Sequence, residues 1–387
     1  MKEIYCDNSA TTPVYPAVID EMEKYFKDIW GNPSSIYTVG RIAKQAINNA
    51  RERVAKILNC KPNEIYFTSG GSESDNLFIK GCFKENSAII TSPIEHPAIT
   101  NACKQIHTLG SLQITLPITK SGIIDIEGVK ELKNLIQREK PIYASVMLVN
   151  NETGMIQPIQ ELSKLLKSYV PNIIFHTDAV QAAGKIKLDV QELGVDALSL
   201  SGHKFGAPKG IGILYLKNGI KCTPLINGGG QEQGLRNGTE NVPYIMGIAR
   251  ALEITYQDFN EKMNKMEEFD YRFRYKILNE IHEAYLNIPE SAIKYKAKGI
   301  FNIAFQGINA QNLLLYLDNH DIYVSAGSAC HSDSDTPSHV LKAMGLTDYE
   351  ALSSLRFSFK EPLPSEDIDY VIKVLKDGIK LQQKYDI

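Results

Sequence analysis

Between about residue 60 and residue 216, short apolar runs alternate with stretches of helical spacing, and that alternation restricts the possible folds more than anything else in the chain. Runs such as Ala88-Ile89-Ile90-Thr91 and Asn172-Ile173-Ile174-Phe175-His176-Thr177 read as strands buried on both faces, the habit of parallel sheets covered by helices. Strand and helix in repeated succession predict an α/β fold on a doubly wound, mostly parallel sheet. Open sheets of this kind take their ligands beyond the carboxyl ends of the strands. The residues that follow each apolar run are therefore the first candidates for chemistry.

Four such ends carry polar side chains. Asp178 closes the 172–177 run, and one further strand, Asp196-Ala197-Leu198-Ser199-Leu200, leads into the small-residue loop Ser201-Gly202-His203-Lys204-Phe205-Gly206. A lysine amine and a buried carboxylate are the pair that pyridoxal 5'-phosphate (PLP) requires, the one to carry it as a Schiff base, the other to keep its pyridine nitrogen protonated. Glu64-Ile65-Tyr66-Phe67-Thr68-Ser69-Gly70-Gly71-Ser72 predicts a strand feeding a helix through glycines, and the unpaired N–H groups of such a helix start favour an anion, here a phosphate. The same segment also reads as an ordinary turn with Ser72 as N-cap and Asp75 in the first helical turn. His96, just past the 88–91 run, suits either an imidazole stacked on a flat ring or a hydrogen-bonded structural histidine. The fourth end is Ser145-Val146-Met147-Leu148-Val149, expected to be an apolar strand that finishes in Asn150-Asn151-Glu152.

Nearer the C-terminus, Ser325-Ala326-Gly327-Ser328-Ala329-Cys330-His331-Ser332-Asp333 is almost wholly small or polar. Such a segment predicts an exposed, mobile loop, and a cysteine on it is free to react. Cys6, Cys60, Cys82, Cys103 and Cys222 lie in or beside apolar or helical sequence and read as packed thiols.

With Gly327-Ser328-Ala329-Cys330 followed by Pro337-Ser338-His339-Val340-Leu341, the chain resembles the NifS/IscS-like cysteine desulfurases, PLP-dependent enzymes of fold type I within the class-V aminotransferases. The likeness runs from Asp7-Asn8-Ser9-Ala10-Thr11-Thr12 through Gly228-Gly229-Gly230-Gln231-Glu232 and Arg236-Asn237-Gly238-Thr239 to Ser354-Leu355-Arg356-Phe357-Ser358. It implies catalytic roles for Lys204, which would hold PLP, for Cys330 and for His96, which would stack on the ring. Asp178 would partner the pyridinium nitrogen, and Gln181 and Asn151 would lie near the ring hydroxyl and the substrate. Gly71, Ser72, Ser201 and His203 would hold the phosphate, while Arg356 would clamp the substrate carboxylate with its planar fork. Thr239 would reach the phosphate of a neighbouring subunit's cofactor, which implies a homodimer with shared sites.

The implied reaction takes L-cysteine to L-alanine and leaves the sulfur as a persulfide on Cys330, for delivery to an iron–sulfur scaffold or a tRNA-thiolation enzyme. A selenocysteine lyase, or another PLP aminotransferase or carbon–sulfur lyase of this fold, is the alternative. Four positions depart from the group's usual pattern: Ser72 for threonine, Ser9 for asparagine, Gln233 for arginine and His331 for threonine. His331 is expected either to tune the Cys330 thiol or simply to be exposed.

At 387 residues the chain exceeds one ordinary core. The expected division is an N-terminal segment (1–15) packing with a small domain, a large PLP-binding domain (16–257) and a small C-terminal domain (258–387) that carries the cysteine loop. Helical periodicity is clear over residues 41–58, 258–283 and 367–383. A net charge of −3 gives no reason to propose nucleic acid or membrane as a partner. The first seven residues hold no signal-peptide pattern. Six cysteines without zinc spacing or a disulfide framework point to a reducing cytosol, so a cytoplasmic location is expected.

Overall fold

The computed structural model describes residues 3–327 and 336–385. After a two-residue strand, β1 (Ile4–Tyr5), seven strands build the larger sheet: β2 (Ile65–Thr68), β3 (Ala88–Thr91), β4 (Leu112–Thr115), β5 (Tyr143–Ser145), β6 (Ile174–Asp178), β7 (Ala197–Ser201) and β8 (Gly212–Leu216). Their order is β2-β8-β7-β6-β5-β3-β4. Strands β4, β3, β5, β6 and β7 are parallel neighbours, whereas β8 runs antiparallel to both β7 and β2. Since β2 and β7 both oppose β8, every strand of the sheet except β8 points the same way. The ends of β2, β3, β5, β6 and β7 therefore share one edge.

Both faces of this sheet are covered, which is why its strands read as unbroken apolar runs. On one face Ile90, Phe175, Leu198 and Ile213 join a core with Val54, Leu166 and Ile248 from the helices Thr38–Leu58, Ile159–Tyr169 and Val242–Tyr256. On the other face Ile89, Tyr143, Ala197 and Leu214 pack on Phe78 and Ile106 from the helices Gly71–Gly81 and Pro97–His107. Adjacent residues such as Ile89 and Ile90 thus serve opposite cores, as the pleat requires.

A smaller antiparallel sheet is built from β9 (Ala284–Leu286), β10 (Ile300–Phe305) and β12 (Ser354–Ser358), in the order β12-β10-β9, while β1 pairs in parallel with β11 (Ile322–Tyr323). Its core is aromatic: Phe273 lies 5.0 Å from Phe359 and 4.9 Å from Phe301, centroid to centroid. The helix Phe259–Glu280 supplies Phe269 and Phe273, and the helix Ser365–Tyr385 supplies Ile368, Leu375 and Ile379.

Two local expectations are corrected. The apolar run at 145–149 is not a strand; the ladder ends at Ser145. Val146 and Leu148 still donate to the carbonyls of His176 and Asp178, but the Met147 amide turns to the Glu95 carboxylate at 3.0 and 3.1 Å. A buried side chain has taken the place of a strand. Nor is Ser72 an N-cap, since the helix Gly71–Gly81 starts one residue after Gly70, which brings no side chain to cap it.

Within the subunit, buried polar contacts hold the glycine-rich stretch 228–241. Glu232, at 5% exposure, takes a bidentate ion pair from Arg51 at 2.6 and 2.9 Å and accepts the Phe67 amide at 2.9 Å. Asn237 accepts the Gly230 amide and donates to the carbonyls of Ile226 and Gly234. Removing one partner of a buried pair strands the other charge, at a cost of about 3–5 kcal/mol. Glu232→Ala should therefore lower the free energy of unfolding in urea by that amount and expose 228–241 to limited proteolysis. A loss below about 1 kcal/mol, as at a solvated pair, would show that Arg51 finds water instead.

Candidate active site

The shared edge of the large sheet opens into a cavity of about 600 Å³, lined by residues from the sheet, the N-terminal segment and β12. Every predicted cofactor and substrate residue within one subunit is in its wall: Gly71, Ser72, His96, Asn151, Asp178, Gln181, Ser201, His203, Lys204 and Arg356. Thr239 is exposed and is not part of this lining. Cys330, with His331, lies outside the described residues.

Each side chain is delivered by its own element. Lys204 ends a 3-10 turn after β7, and its ammonium donates to the carbonyls of Ser9 and Ala10 at 2.6 and 2.8 Å. His96 is the N-cap of the helix Pro97–His107, where Nδ1 accepts the Ala98 amide at 3.1 Å. That bond places the single ring N–H on Nε2 when the ring is neutral. His203 holds the Thr11 hydroxyl at 3.1 Å, and burial, with the charges of Lys204 and Lys209, pushes it down to about 4. Gln181 donates to the Ser9 carbonyl at 2.8 Å. Asn151 sits in a turn organised by Asn150, whose carbonyl oxygen accepts from the amides of Glu152 and Thr153 and from the Thr153 hydroxyl.

Gly71 carries a steric requirement. A Cβ there would stand 2.7 Å from the Val180 methyl and 3.3 Å from the Ser201 Cβ. The helix start is thus pressed against the ends of β6 and β7, and Gly70 to Glu73 all line the cavity. An uncapped helix start held in a polar recess is an anion site in waiting.

Asp178, 5% exposed, accepts the Val180 amide at 2.9 Å; burial raises its carboxyl, and that hydrogen bond and the nearby Lys204 charge pull it back. Behind it is a second carboxyl that sequence reasoning placed only in a helical turn. Asp75 is fully buried and is raised well above the carboxylate range by burial and by the Asp178 charge. The Ser199 hydroxyl that hydrogen-bonds it also meets His176 Nε2 at 2.9 Å, and His176 Nδ1 meets the Ser145 hydroxyl at 2.9 Å. Burial lowers His176 to about 3, so this ring stays neutral, stacked 4.5 Å from Phe78. Glu95 is likewise raised by burial, to about 8, against the donors Ser92 and Met147. Burial thus favours the protonated form at two carboxyls beside the one that faces a cation.

Arg356, 1% exposed, comes from β12; Nη2 pairs with Asp7 at 2.7 Å and Nη1 donates to the Asn151 carbonyl at 3.1 Å. Its Nε, the Ser9 hydroxyl and Asp75 Oδ1 are buried without partners among the described residues, and all three residues border the cavity. Unmet donors and an acceptor around an anion-ready helix start and a lysine fit a flat, phosphorylated, polar cofactor such as PLP.

The motif after the cysteine loop gains a physical account. Ser338 caps the helix His339–Ala343 and bonds to Glu152, while His339 Nε2 meets the Glu95 carbonyl at 2.9 Å. Residues 338 and 339 are thereby fastened to the same turns that carry His96 and Asn151. Of the remaining thiols, Cys6, Cys82 and Cys103 are buried, and Cys60 and Cys222 are half-buried. Burial pushes Cys60 and Cys103 up to about 12 and raises Cys6 further, and Cys82 is raised by its hydrogen bond to Cys222 and then by burial.

Comparison with known proteins agrees with this architecture. The model of the family described as aminotransferase class-V matches residues 4–371. A protein of Clostridium botulinum named cysteine desulfurase IscS is 44% identical over 387 residues, covering 99% of this chain and 96% of that one. A solved NifS-like protein superposes with a TM-score of 0.90 at 34% identity, over 98% of this chain and all of its own. A structure described as SspA in complex with cysteine aligns over 93% of this chain and 99% of its own, at 34% identity and a TM-score of 0.79. The chain is therefore a member of the class-V aminotransferase family, of fold type I, in its NifS/IscS-like cysteine desulfurase group.

Proposed function

We propose that the protein is a PLP-dependent cysteine desulfurase that takes L-cysteine to L-alanine and leaves the sulfur on Cys330 as a persulfide. The observation that carries this reading is the convergence of Lys204, Asp178, His96 and Arg356 on one cavity wall. Relatives named cysteine desulfurase and a related structure described with cysteine support the substrate.

Bound at Lys204, PLP would supply an electron sink for the α-carbon of the amino acid. Asp178 would hold a proton on the ring nitrogen, while burial disfavours the charged forms of the neighbouring Asp75 and Glu95. Gly71, Ser72, Ser201 and His203 would bind the phosphate, with the helix start adding its dipole. His96 would cover the ring face and, with Gln181 and Asn151, fix its orientation.

Arg356 would bind the substrate carboxylate, since its Nε is still unmet and its other nitrogens are fixed by Asp7 and Asn151. Lys204 Nζ would take the α-proton once the amino acid has displaced it. The Cys330 thiolate then attacks the substrate sulfur. An S–S bond forms, the Cβ–S bond breaks, and the electron pair left on Cβ takes a proton. Thiol plus L-cysteine becomes persulfide plus L-alanine, the sulfur oxidised and Cβ reduced. The small residues beside Cys330 suit a segment that must enter the cavity and then offer its sulfur to an acceptor protein, an iron–sulfur scaffold or a tRNA-thiolation enzyme. The active unit is a homodimer in which Thr239 reaches the other subunit's phosphate. Among the described residues no helix is long and apolar enough to cross a membrane.

Supplied with L-cysteine and a thiol reductant, the wild type should yield alanine and sulfide in equal amounts. Lys204→Ala should lose the visible absorbance of lysine-bound PLP. Cys330→Ala should still change that absorbance on addition of L-cysteine, yet release sulfide at background rate; retained sulfide with a persulfide on another cysteine would displace Cys330 from its role.

Arg356→Leu removes a charge-assisted contact to a carboxylate, worth roughly 2 to 5 kcal/mol. The apparent affinity for L-cysteine should fall accordingly while PLP occupancy holds. Unchanged affinity would put the carboxylate elsewhere.

Shared sites predict complementation. Mixing inactive Lys204→Ala with inactive Thr239→Val subunits should restore activity, because each mixed dimer holds one intact site and one doubly damaged site. No recovery after proven subunit exchange would mean that each subunit completes its own site.

A further inference from the structure

A second cavity, of about 420 Å³, lies behind the first, and Lys204 stands in the wall of both. It is enclosed by the N-terminal segment at Thr12 and Tyr15, the turn at Lys185 after β6, the end of the helix Val242–Tyr256, the start of the helix Phe259–Glu280 and the segment that follows β12. Its charge is one-sided: Lys185, Lys204, Lys262, Lys265, Lys298 and Lys360 line it, against the single carboxylate of Glu361.

Half of these lysines are already occupied. Lys265 pairs with Glu261, Lys298 with Glu267, and Lys204 is held by two carbonyls. The other three meet only neutral groups. Lys185 makes a long hydrogen bond to Gln181 at 3.4 Å, Lys262 donates to the Ile254 carbonyl at 2.7 Å, and the Lys360 ammonium lies 3.4 Å from the centroid of the Tyr15 ring. None of the three has a carboxylate within ion-pair distance among the described residues. Burial, with the charges of Lys204 and Arg356, pushes Lys185 down to about 7. Burial and the charge of Lys262 push Lys360 down to about 8, with Glu361 opposing. A recess that weakens its own cations is short of negative charge. Phe205, Met266 and Phe359 add apolar surface beside Asn8, Thr12 and Thr255, which suits the body of an organic ion, and the volume is that of a small-molecule site.

We propose that this recess binds a small organic polyanion, a molecule carrying two or more carboxylate or phosphate groups, through Lys185, Lys262 and Lys360. The site is distinct from the cofactor cavity, and the proposal stands independently of the function assigned to that cavity. Since Lys204 borders both, an anion here would share a wall with the cofactor cavity.

The test uses PLP-saturated protein, so that the phosphate-binding helix start is filled. Citrate and, separately, pyrophosphate are titrated by calorimetry at constant ionic strength, because loose surface attraction is screened by salt. Saturable binding of at least one probe, lost by about ten-fold or more in the Lys262→Gln/Lys360→Gln double variant, is expected for charge-assisted contacts. A response to citrate alone assigns carboxylates, to pyrophosphate alone phosphates, and to both a site that reads charge. Heats of dilution only for both probes, or a smaller loss in the double variant, would overturn the proposal. Thermal unfolding without anion checks that the variants are folded. Should the double variant fail that check, each single variant is held to a loss of about three-fold or more.

Discussion

The buried guanidinium of Arg356 joins the parts of this molecule that must act together. It rises from β12, where its backbone is paired with Asn302 of β10, so its position is set by the register of the smaller sheet. Its side chain crosses to Asp7 in the N-terminal segment and to the Asn151 carbonyl at the edge of the larger sheet. A charge this deep is tolerated only with close partners. Those partners come from two stretches of chain far from the arginine's own, so the same contacts that keep it folded in also fix the cavity wall. The nitrogen they leave unmet is the part of the fork still able to recognise a ligand.

Electrostatic division of labour follows from burial. Desolvation raises Asp178, Asp75 and Glu95 alike, and the charge of Asp178 raises the other two further. Only Asp178 has both a backbone donor and a lysine ammonium nearby to favour its charged form. The other two rest on hydroxyl and amide donors. One carboxylate favoured in its charged form beside two that are disfavoured is a better instrument than three that compete equally.

What could be read from the sequence, and what could not, divides along sequence distance. The ends of β3, β6 and β7 were legible because a parallel sheet brings successive strand ends to one edge, whatever the loops do. Ser72, Ser201 and Gln181 fell into place with them. The 145–149 run was misread because its pattern is apolar, whereas its fate is decided by Glu95, a side chain from another strand end. The role of Glu232 was hidden for the same reason: its partner Arg51 is 181 residues away. The reversed direction of β8 left no mark on an apolar pattern that is the same for either orientation. Asp75 and His176 looked like ordinary members of a helix and a strand, and only their meeting through Ser199 shows them to be a network.

The buried thiols bear on how sulfur travels. A persulfide hands its outer sulfur to whichever thiolate reaches it, and nucleophilic thiolate is what burial suppresses. With Cys6, Cys60, Cys82 and Cys103 all pushed well above neutrality, these four remain protonated at working pH and would compete poorly for sulfur loaded, as proposed, on Cys330. The fold thereby acts as its own insulation: a sulfur atom mobilised at one residue has few places to leak within the chain, and its easiest exit is to a thiol that arrives from outside.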